Sequence, residues 1–238
     1  CQTIELRCGT LPVSGWKIDM ETYLGFRQEL KADDEAQLLA IPRKQRAEVR
    51  RALGLELDVS VGKSADLIAG HYQVYSESVR NLGTPVFPRS LFKEVLTAFG
   101  EDADILTVSH KDRALSSVLS LYHQGVVMPY WGGGVADART WRANEMMYYA
   151  LMLHARAKKG CHSFDFGRSK AGTGPASFKK NFGFEPKELH YAKRALDGGE
   201  IRDINPLSPK YRMQIALWQK LPLPIANMIG PWISRGLG

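Results

Sequence analysis

The chain has 238 residues, of which 44% are hydrophobic and 24% are charged. This composition excludes an intrinsically disordered chain, and it provides enough apolar side chains for the core of one large domain or two modest ones. The formal net charge of +7 at pH 7 favours an anionic partner, such as a phosphate group, nucleic acid or an acidic membrane face.

The first predicted element is a strand. Residues 3–7 alternate between apolar and polar side chains, which is the strand pattern. The chain opens at Cys1 without an initiator methionine, and we interpret it as a piece of a longer protein. We therefore expect an unpaired or partly exposed sheet edge near residues 1–10. Apolar side chains at helical spacing then predict a helix over 20–30.

A second helix is predicted over 42–53, and Gly54 ends it. The charged side chains of this helix are mostly cations, namely Arg43, Lys44, Arg46, Arg50 and Arg51 beside the single acid Glu48. Two interpretations are open for this charge run. It is either a solvated face above a thin apolar stripe or a surface that faces phosphate groups.

Strands and helices then alternate. A strand, two helices and three strands come next, and they are predicted over 55–61, 64–81, 90–99, 104–109, 115–123 and 126–131. Ser64 is the predicted N-cap of the first of these helices. A long helix, a strand, a short helix and a last strand follow over 140–159, 162–166, 176–181 and 189–194. This order predicts an α/β (α+β) fold with a mixed twisted sheet flanked by helices on both faces.

The C-terminal segment begins at residue 197 and ends in two apolar stretches with helical spacing. Pro222, Pro224 and Pro231 interrupt them. We expect these helices to dock on the body of the protein or else to bind a membrane surface.

Cysteine and histidine usage makes a disulfide framework or a metal site unexpected. The three cysteines contain no C-x-x-C pair, and the six histidines form no pair at ligand spacing with a nearby acid. The sequence also has no signal peptide and no apolar run long enough to span a bilayer. The cytoplasm is the expected location, with a peripheral position at the inner face of the membrane if the C-terminal helices bind there.

The segment FDFGRSKAGTGPASFKKNFGFEP (164–186) combines glycines, cations and phenylalanines. Gly167 permits a sharp turn at the end of a strand, where Ser169 and Lys170 present polar groups to a ligand. Gly172 and Gly174 allow an anionic group to approach bare amides. The phenylalanines are expected to anchor the segment to the core.

Three residues of this segment are predicted to be catalytic, namely Asp165, Arg168 and Lys179. The two cations are expected to flank the glycines and to stabilise a phosphate or a developing oxyanion. We expect Lys179 to reach solvent, so that its replacement leaves folding nearly intact. The alternative is a structural turn in which Asp165 pairs with Arg168 or Lys179.

The element order is also that of the GNAT acyltransferase fold, and five segments resemble the FemAB-like proteins associated with PEP-CTERM and exosortase systems. These segments are YSESVRNLGTPVFPRSLF (75–92), MPYWGGG (128–134), FDFGRS (164–169), GTGPASFKKNFGFEP (172–186) and LSPKYRMQIALWQKLPLPIANMIGPWISRGLG (207–238). The resemblance implies two GNAT folds in tandem, of which the first is incomplete here. The predicted domains are the closing part of the first repeat with its basic helix (1–54), a complete GNAT-like domain (55–196) and a helical tail (197–238).

GNAT enzymes that use acetyl-CoA carry a Gln/Arg-x-x-Gly-x-Gly/Ala pattern whose amides hold pyrophosphate. Gly132 and Gly134 fit this spacing, but Pro129 stands where the pattern has Gln or Arg. The predicted donor-binding residues here are Tyr130, Trp131, Gly132, Gly133 and Gly134. A turn that needs positive φ is the alternative. Tyr75 and Arg80 are candidates for the acceptor pocket, with core packing as the other explanation for the tyrosine.

The resemblance implies an N-acyltransferase. Fem ligases move an amino acid from aminoacyl-tRNA to a peptidoglycan precursor, and the exosortase-linked branch is expected to act on a surface polysaccharide or another envelope component. The expected donor is aminoacyl-tRNA or acyl-CoA, both of which bear phosphates. No tightly bound cofactor, no metal and no specific DNA partner is expected. The alternative is a catalytically inactive scaffold of the same fold, because the predicted site contains no clear general base.

Overall fold

A computed structural model of the chain describes residues 3–7, 14–196 and 209–235. The strands in these ranges are β1 (Thr3–Arg7), β2 (Lys17–Glu29), β3 (Asp58–Gly62), β4 (Ala103–His110), β5 (Arg113–His123), β6 (Val126–Gly134), β7 (Ser163–Lys170) and β8 (Pro186–Ala195). The α-helices are α1 (Asp34–Ala40), α2 (Arg43–Leu53), α3 (Ala65–Asn81), α4 (Arg89–Phe99), α5 (Ala143–Lys159), α6 (Gly174–Asn181), α7 (Pro209–Gln219) and α8 (Leu223–Ser234). Short 3₁₀ turns cover Gly100–Asp102 and Ala136–Arg139.

The strands form one mixed sheet in the order β1-β8-β2-β7-β6-β5-β4-β3. Neighbouring strands are antiparallel except β6 and β7, which are parallel and connected through α5. Two adjacent residues of β5 show that helices cover both faces. Ser117 Oγ contacts His71 of α3, whereas Ser116 Oγ donates to the carbonyl of Ala143 in α5. Adjacent side chains of a strand point to opposite faces of the sheet, so α3 and α5 cover different faces. The predicted fold class is therefore confirmed.

Most predicted elements have their predicted type, with boundaries that differ by a few residues. The helix predicted over 20–30 is wrong, because residues 20–29 belong to β2. This strand pairs with β7 along one side and with β8 along the other, and Phe26 is fully buried. Ladder bonds on both sides and burial in the core outweigh the weak helical preference of the segment.

The helix α1 is missing from the sequence prediction. Its first turn is capped by Asp33, whose Oδ1 accepts a hydrogen bond of 2.7 Å from the backbone N–H of Ala36. Aspartate in this position satisfies one of the free N–H groups at a helix start. The N-cap of α3 is the predicted one, since Ser64 Oγ accepts from Leu67 N at 3.2 Å.

The N-terminal strand lies at one edge of the sheet. β1 pairs with β8, and no second described strand covers its other side. This agrees with the expected exposed edge for 3–7, while 1–2 and 8–10 lie outside the described residues. The division at residues 54 and 196 stays a prediction.

The C-terminal helices dock on α3. Asn227 Nδ2 of α8 donates to Ser76 Oγ at 3.2 Å, and Arg80 Nη1 donates to the carbonyl of Leu221 at 3.2 Å. Docking on the body is therefore confirmed for 209–235, whereas 197–208 lie outside the described residues. Pro231 does not break the second stretch but lies inside α8. No described helix combines the length and hydropathy needed to cross a bilayer.

Candidate functional site

The centre of the sheet contains a cleft where two parallel strands separate. β6 and β7 pair only through Val126 with Ser163 and Val127 with Phe164. Beyond these pairs the strands diverge around a cavity of about 510 Å³. The ends of α3 and β6, the first turns of α5, and parts of β7 and α6 line it. We call this cavity the central cleft.

A β-bulge in β6 contributes to the separation. Leu119 of β5 pairs with Trp131 and its neighbour Ser120 pairs with Pro129, so that Tyr130 is the extra residue. A bulge bends its strand and increases the local twist, which turns the end of β6 away from β7. Tyr130 is exposed on this bulge and does not line the cleft.

Three consecutive glycines form the β6 wall of the cleft. Gly132, Gly133 and Gly134 are all part of the strand, and none has positive φ, so the alternative of a positive-φ turn is wrong. A Cβ at Gly133 would lie 2.2 Å from Ser78 Oγ, and one at Gly134 would lie 2.6 Å from Asn144 Oδ1. Close approach of α3 and α5 therefore requires glycine here.

The backbone of this wall faces the cleft at alternate residues. Val135 N donates to the carbonyl of Leu115 on β5 at 2.9 Å. In an antiparallel ladder the residues alternate between bonded and non-bonded pairs, so Gly132 and Gly134 point their N–H and C=O groups away from β5. Since β7 has diverged at this level, these groups are directed toward the cleft and are available to a ligand.

Replacement of Gly134 by Ala is expected to lower the free energy of unfolding by about 1–3 kcal/mol, the cost of overpacking. The new Cβ would meet Ala138 and Asn144 at 2.6 Å. Gly54→Ala is the matched control, because Gly54 has φ −88 and its nearest contact for a Cβ is 3.5 Å. Chemical denaturation of both variants measures the difference, and equal stability would contradict the packing argument.

Lys179 reaches the cleft from α6, and its ammonium is held by the end of β7. Nζ donates to the carbonyls of Phe166 at 2.6 Å, Arg168 at 3.1 Å and Gly167 at 3.3 Å. It also lies 5.4 Å from the ring centre of Phe26. The side chain is partly exposed, but it also connects α6 to the end of β7. Its replacement is therefore expected to cost stability, in contrast to the prediction from the sequence.

Burial lowers the pKa of Lys179 to about 8, while the nearby Asp165 carboxylate acts in the opposite direction. At neutral pH the ammonium therefore predominates and brings a fixed positive charge to the cleft. The charge lies in a partly desolvated position, where its effect on a developing anion is larger than in water.

The structure does not bring Arg168 and Lys179 together around the glycines. Arg168 Nη1 instead donates to Tyr191 Oη at 3.1 Å, and its guanidinium lies 4.7 Å from the ring centre of Tyr23. Among the described side chains, Asp165 forms no ion pair with either cation. Its Oδ1 accepts from Gly167 N at 2.8 Å, so the alternative of an ion-paired turn is also wrong.

The remaining predicted residues of this segment have separate positions. Ser169 is buried in β7, and Lys170 Nζ lies 5.8 Å from the ring of Tyr23. Gly172 has φ +73 in the turn after β7, as predicted. Gly167 has φ +66 but lies inside β7, where the pairing with β2 shifts between Asp165 and Arg168. The predicted end of the strand at Gly167 is therefore wrong. Gly174 begins α6 and lines the cleft.

The aromatic and acceptor candidates lie mainly in the core. Tyr75 is buried and contacts Phe92 with ring centres 5.3 Å apart, which favours the packing explanation. Trp131 contacts the same ring at 5.8 Å. Arg80 holds the turn between α7 and α8, so neither Tyr75, Trp131 nor Arg80 lines the cleft.

Two polar residues of α5 line the cleft and are absent from the sequence prediction. Asn144 Oδ1 is buried and has no hydrogen-bond partner within the described part of the chain, and a buried acceptor of this kind indicates a place for a ligand donor. Tyr148 has no hydrogen bond to any described residue, and burial raises its pKa to about 12. Their spacing of one helical turn, from 144 to 148, places both side chains on one face of α5, and this pattern is visible in the sequence. Among the described residues, no group of histidine, cysteine and acidic side chains could hold a metal ion.

The chain matches a protein-family model. A family model described as "Acetyltransferase (GNAT) domain" matches residues 42–180, which include the central cleft and the whole of α6 except its last residue. A comparison with curated proteins gave no match.

Solved structures with a similar fold include FemX, with a TM-score of 0.63 and 16% identity over 71% of this chain and 61% of that chain. The C-terminal domain of a putative lysylphosphatidylglycerol synthetase from Agrobacterium fabrum has a TM-score of 0.57 and 14% identity, over 76% of this chain and 62% of that chain. L-PGS from Bacillus licheniformis has a TM-score of 0.53 and 13% identity, over 87% of this chain and 68% of that chain. The chain thus spans about three fifths of the length of the first two.

Proposed function

The chain belongs to the acetyltransferase (GNAT) domain family, and from this premise we propose that it is an N-acyltransferase of the FemAB type. It transfers an acyl or aminoacyl group from an activated donor to an amine of a cell-envelope or exopolysaccharide-related acceptor. The single observation that carries the proposal is the central cleft, in which open backbone groups of β6 face the partly buried cation of Lys179.

The proposed reaction begins when the lone pair of the acceptor amine attacks the carbonyl carbon of the donor. A new C–N bond forms, and the carbonyl oxygen becomes an oxyanion. The amides of Gly132 and Gly134 and the positive charge of Lys179 stabilise this oxyanion. The C–O or C–S bond to the leaving group then breaks with its electron pair, the amine loses a proton, and the leaving group takes one up.

The polar residues of α5 have complementary roles in this proposal. Asn144 Oδ1 accepts a hydrogen bond from the attacking amine and orients its lone pair. The hydroxyl of Tyr148 stays protonated at neutral pH because burial raises its pKa to about 12, so it donates a hydrogen bond to the departing oxygen or sulfur. Both residues line the cleft, and Asn144 Oδ1 has no hydrogen-bond partner among the described residues.

The donor in this proposal bears phosphates. The α2 helix exposes Arg43, Arg50 and Arg51, and Arg139 lines the cleft, which supports an anionic donor. Aminoacyl-tRNA and acyl-CoA both satisfy this condition. The resemblance to Fem ligases and the structural neighbour named as a putative lysylphosphatidylglycerol synthetase both favour aminoacyl-tRNA. Pro129 in place of a polar anchor argues against coenzyme A.

The acceptor is proposed to be an envelope or polysaccharide precursor, and the setting is proposed to be an exosortase and PEP-CTERM system at the inner face of the membrane. This finer part of the proposal is supported by the five sequence segments that resemble FemAB-like proteins. The second candidate function is a scaffold that binds such a precursor without transfer. One observation favours it: the Lys179 ammonium already donates to three backbone carbonyls, which leaves no N–H of this group for a ligand.

A donor panel tests the proposal. The protein is incubated with aminoacyl-tRNAs or acyl-CoAs and with amine acceptors, and mass spectrometry records the acylated acceptor. Transfer from a donor is expected, and Tyr148→Phe should reduce it by roughly tenfold to a hundredfold. Lys180→Ala, on the exposed side of α6, is the control that should leave transfer unchanged. Tight binding of a precursor without transfer from any donor would establish the scaffold instead.

A further inference from the structure

The helix α8 has an unusual orientation. Its buried residues are small and recur every fourth position, namely Ala226, Gly230 and Ser234. On its outer side Met228 and Trp232 are 67% and 75% exposed. A surface helix of a globular protein normally turns its large apolar side chains to the core, and α8 does the reverse.

The preceding helix α7 also docks on α3, and it too carries exposed apolar side chains. Met213 and Leu217 lie one turn apart and are 74% and 68% exposed. We define the outer apolar face as Met213, Leu217, Met228 and Trp232. Large exposed apolar side chains on two consecutive docked helices are typical of an interaction site.

The segment that carries this face has charges of one sign in its sequence. Residues 209–238 contain Lys210, Arg212, Lys220 and Arg235 and no aspartate or glutamate. The guanidinium of Arg235 lies 5.5 Å from the ring centre of Trp232. Tryptophan beside cations, next to exposed methionine and leucine, is the composition of helices that lie in the headgroup region of an anionic bilayer.

We propose that the outer apolar face docks on an anionic lipid bilayer. The apolar side chains enter the headgroup boundary and the cations pair with lipid phosphates. A second copy of the chain fits this face less well, because it would bring together two segments that carry cations and no acid in their sequence. Docking does not depend on the transferase activity proposed for the central cleft.

The position of the face gives docking a consequence for the cleft. Gln219 Nε2, at the end of α7, donates to the carbonyl of Asn81 at 2.9 Å. Asn81 and the 65% exposed Leu82 end α3 and line the cleft. The C-terminal end of α7 thus contacts the α3 wall of the cleft, and the proposal places that wall near the headgroups.

Vesicle flotation tests the proposal with the chain of residues 1–238. We expect the protein to float with vesicles of phosphatidylcholine and phosphatidylglycerol, and to bind much less to phosphatidylcholine alone or at high salt. Trp232→Ser should weaken partitioning roughly tenfold or more, since Trp232 supplies the largest exposed apolar area of the face. Phe99→Ser, which removes a 48% exposed aromatic side chain from α4, is the matched control that should float like the original protein.

The outcomes separate the possibilities without any measurement of transfer. Thermal unfolding of Trp232→Ser should be unchanged, because the side chain is 75% exposed. No flotation of the original chain, or equal flotation of Trp232→Ser, would overturn the proposal. Self-association in analytical ultracentrifugation that Trp232→Ser abolishes, without any vesicle binding, would assign the face to a second copy instead.

Discussion

Replacement of Lys179 by Ala is expected to reduce transfer by roughly a hundredfold or more, the scale for losing one preorganised stabilising group. The variant should also lose about 1–3 kcal/mol of unfolding free energy, because three carbonyls at the end of β7 lose their donor. Activity is therefore measured at a temperature where melting shows the variant to be folded. Lys180→Ala, one residue along the same helix, is the control for both measurements.

The pH dependence of transfer gives a second readout on the same residue. The pKa of Lys179 is about 8, so the ammonium is lost as the pH rises above about 8. Oxyanion stabilisation should decline there, and Lys179→Arg should remove this decline because a guanidinium stays charged. A folded Lys179→Ala protein with unchanged turnover would show that this lysine only supports the structure.

Replacement of Asp104 by Ala is expected to destabilise the fold by about 3–5 kcal/mol, as for a buried charge network that loses one partner. Asp104 is 4% exposed and accepts hydrogen bonds from Tyr122 Oη at 2.6 Å and from His154 Nε2 at 3.0 Å. Lys159 Nζ lies 3.5 Å from the same carboxylate. These contacts connect the start of β4 to the C-terminal end of α5, and chemical denaturation measures their loss.

The same carboxylate predicts an acid-sensitive step in stability. Burial opposes its ionisation, but the hydrogen bonds from His154 and Tyr122 prevail and hold its pKa below the ordinary value of 3.8. The stabilisation that the Asp104 carboxylate provides is therefore present above pH 3.8, and it is lost as the pH falls through the folded-state pKa of this group. Asp104→Ala should lack this step. Asp102→Ala, at an exposed site two residues earlier in the chain, should have an unfolding free energy within about 0.5 kcal/mol of that of the original protein. A similar loss of stability in both variants would contradict the network argument.

The sequence was sufficient for elements whose own pattern determines them. The helix α3 has a serine cap and a steady apolar stripe, and the hairpins of β4, β5 and β6 have short turns. Lys111 and Gln124 occupy positive-φ positions in those turns. By contrast β2 depends on pairing with β7 and β8, which lie far away in the chain, so local spacing gave the wrong element.

The sequence predicted those parts of the site in which packing requires a particular residue type. It did not predict the direction in which a side chain points. The glycines of β6 stand out in the sequence because close packing excludes a side chain there. The direction of Arg168 toward Tyr191 depends on a strand from another part of the chain, and no local pattern reports it. Asn144 was missed because its significance is an unsatisfied buried oxygen, which only the assembled fold reveals.

The two residue pairs between β6 and β7 also bear on the order of folding. The strands β4, β5 and β6 are joined by turns of two residues, so their contacts are local and form at little cost in loop entropy. β7 reaches β6 only after α5 has formed, and β2 must return from the N-terminal end to cover β7. We therefore expect the β4–β6 half to form early and the half containing β7 late. The ligand would then bind at the junction between the two halves, where few hydrogen bonds between β6 and β7 resist a change in the width of the central cleft.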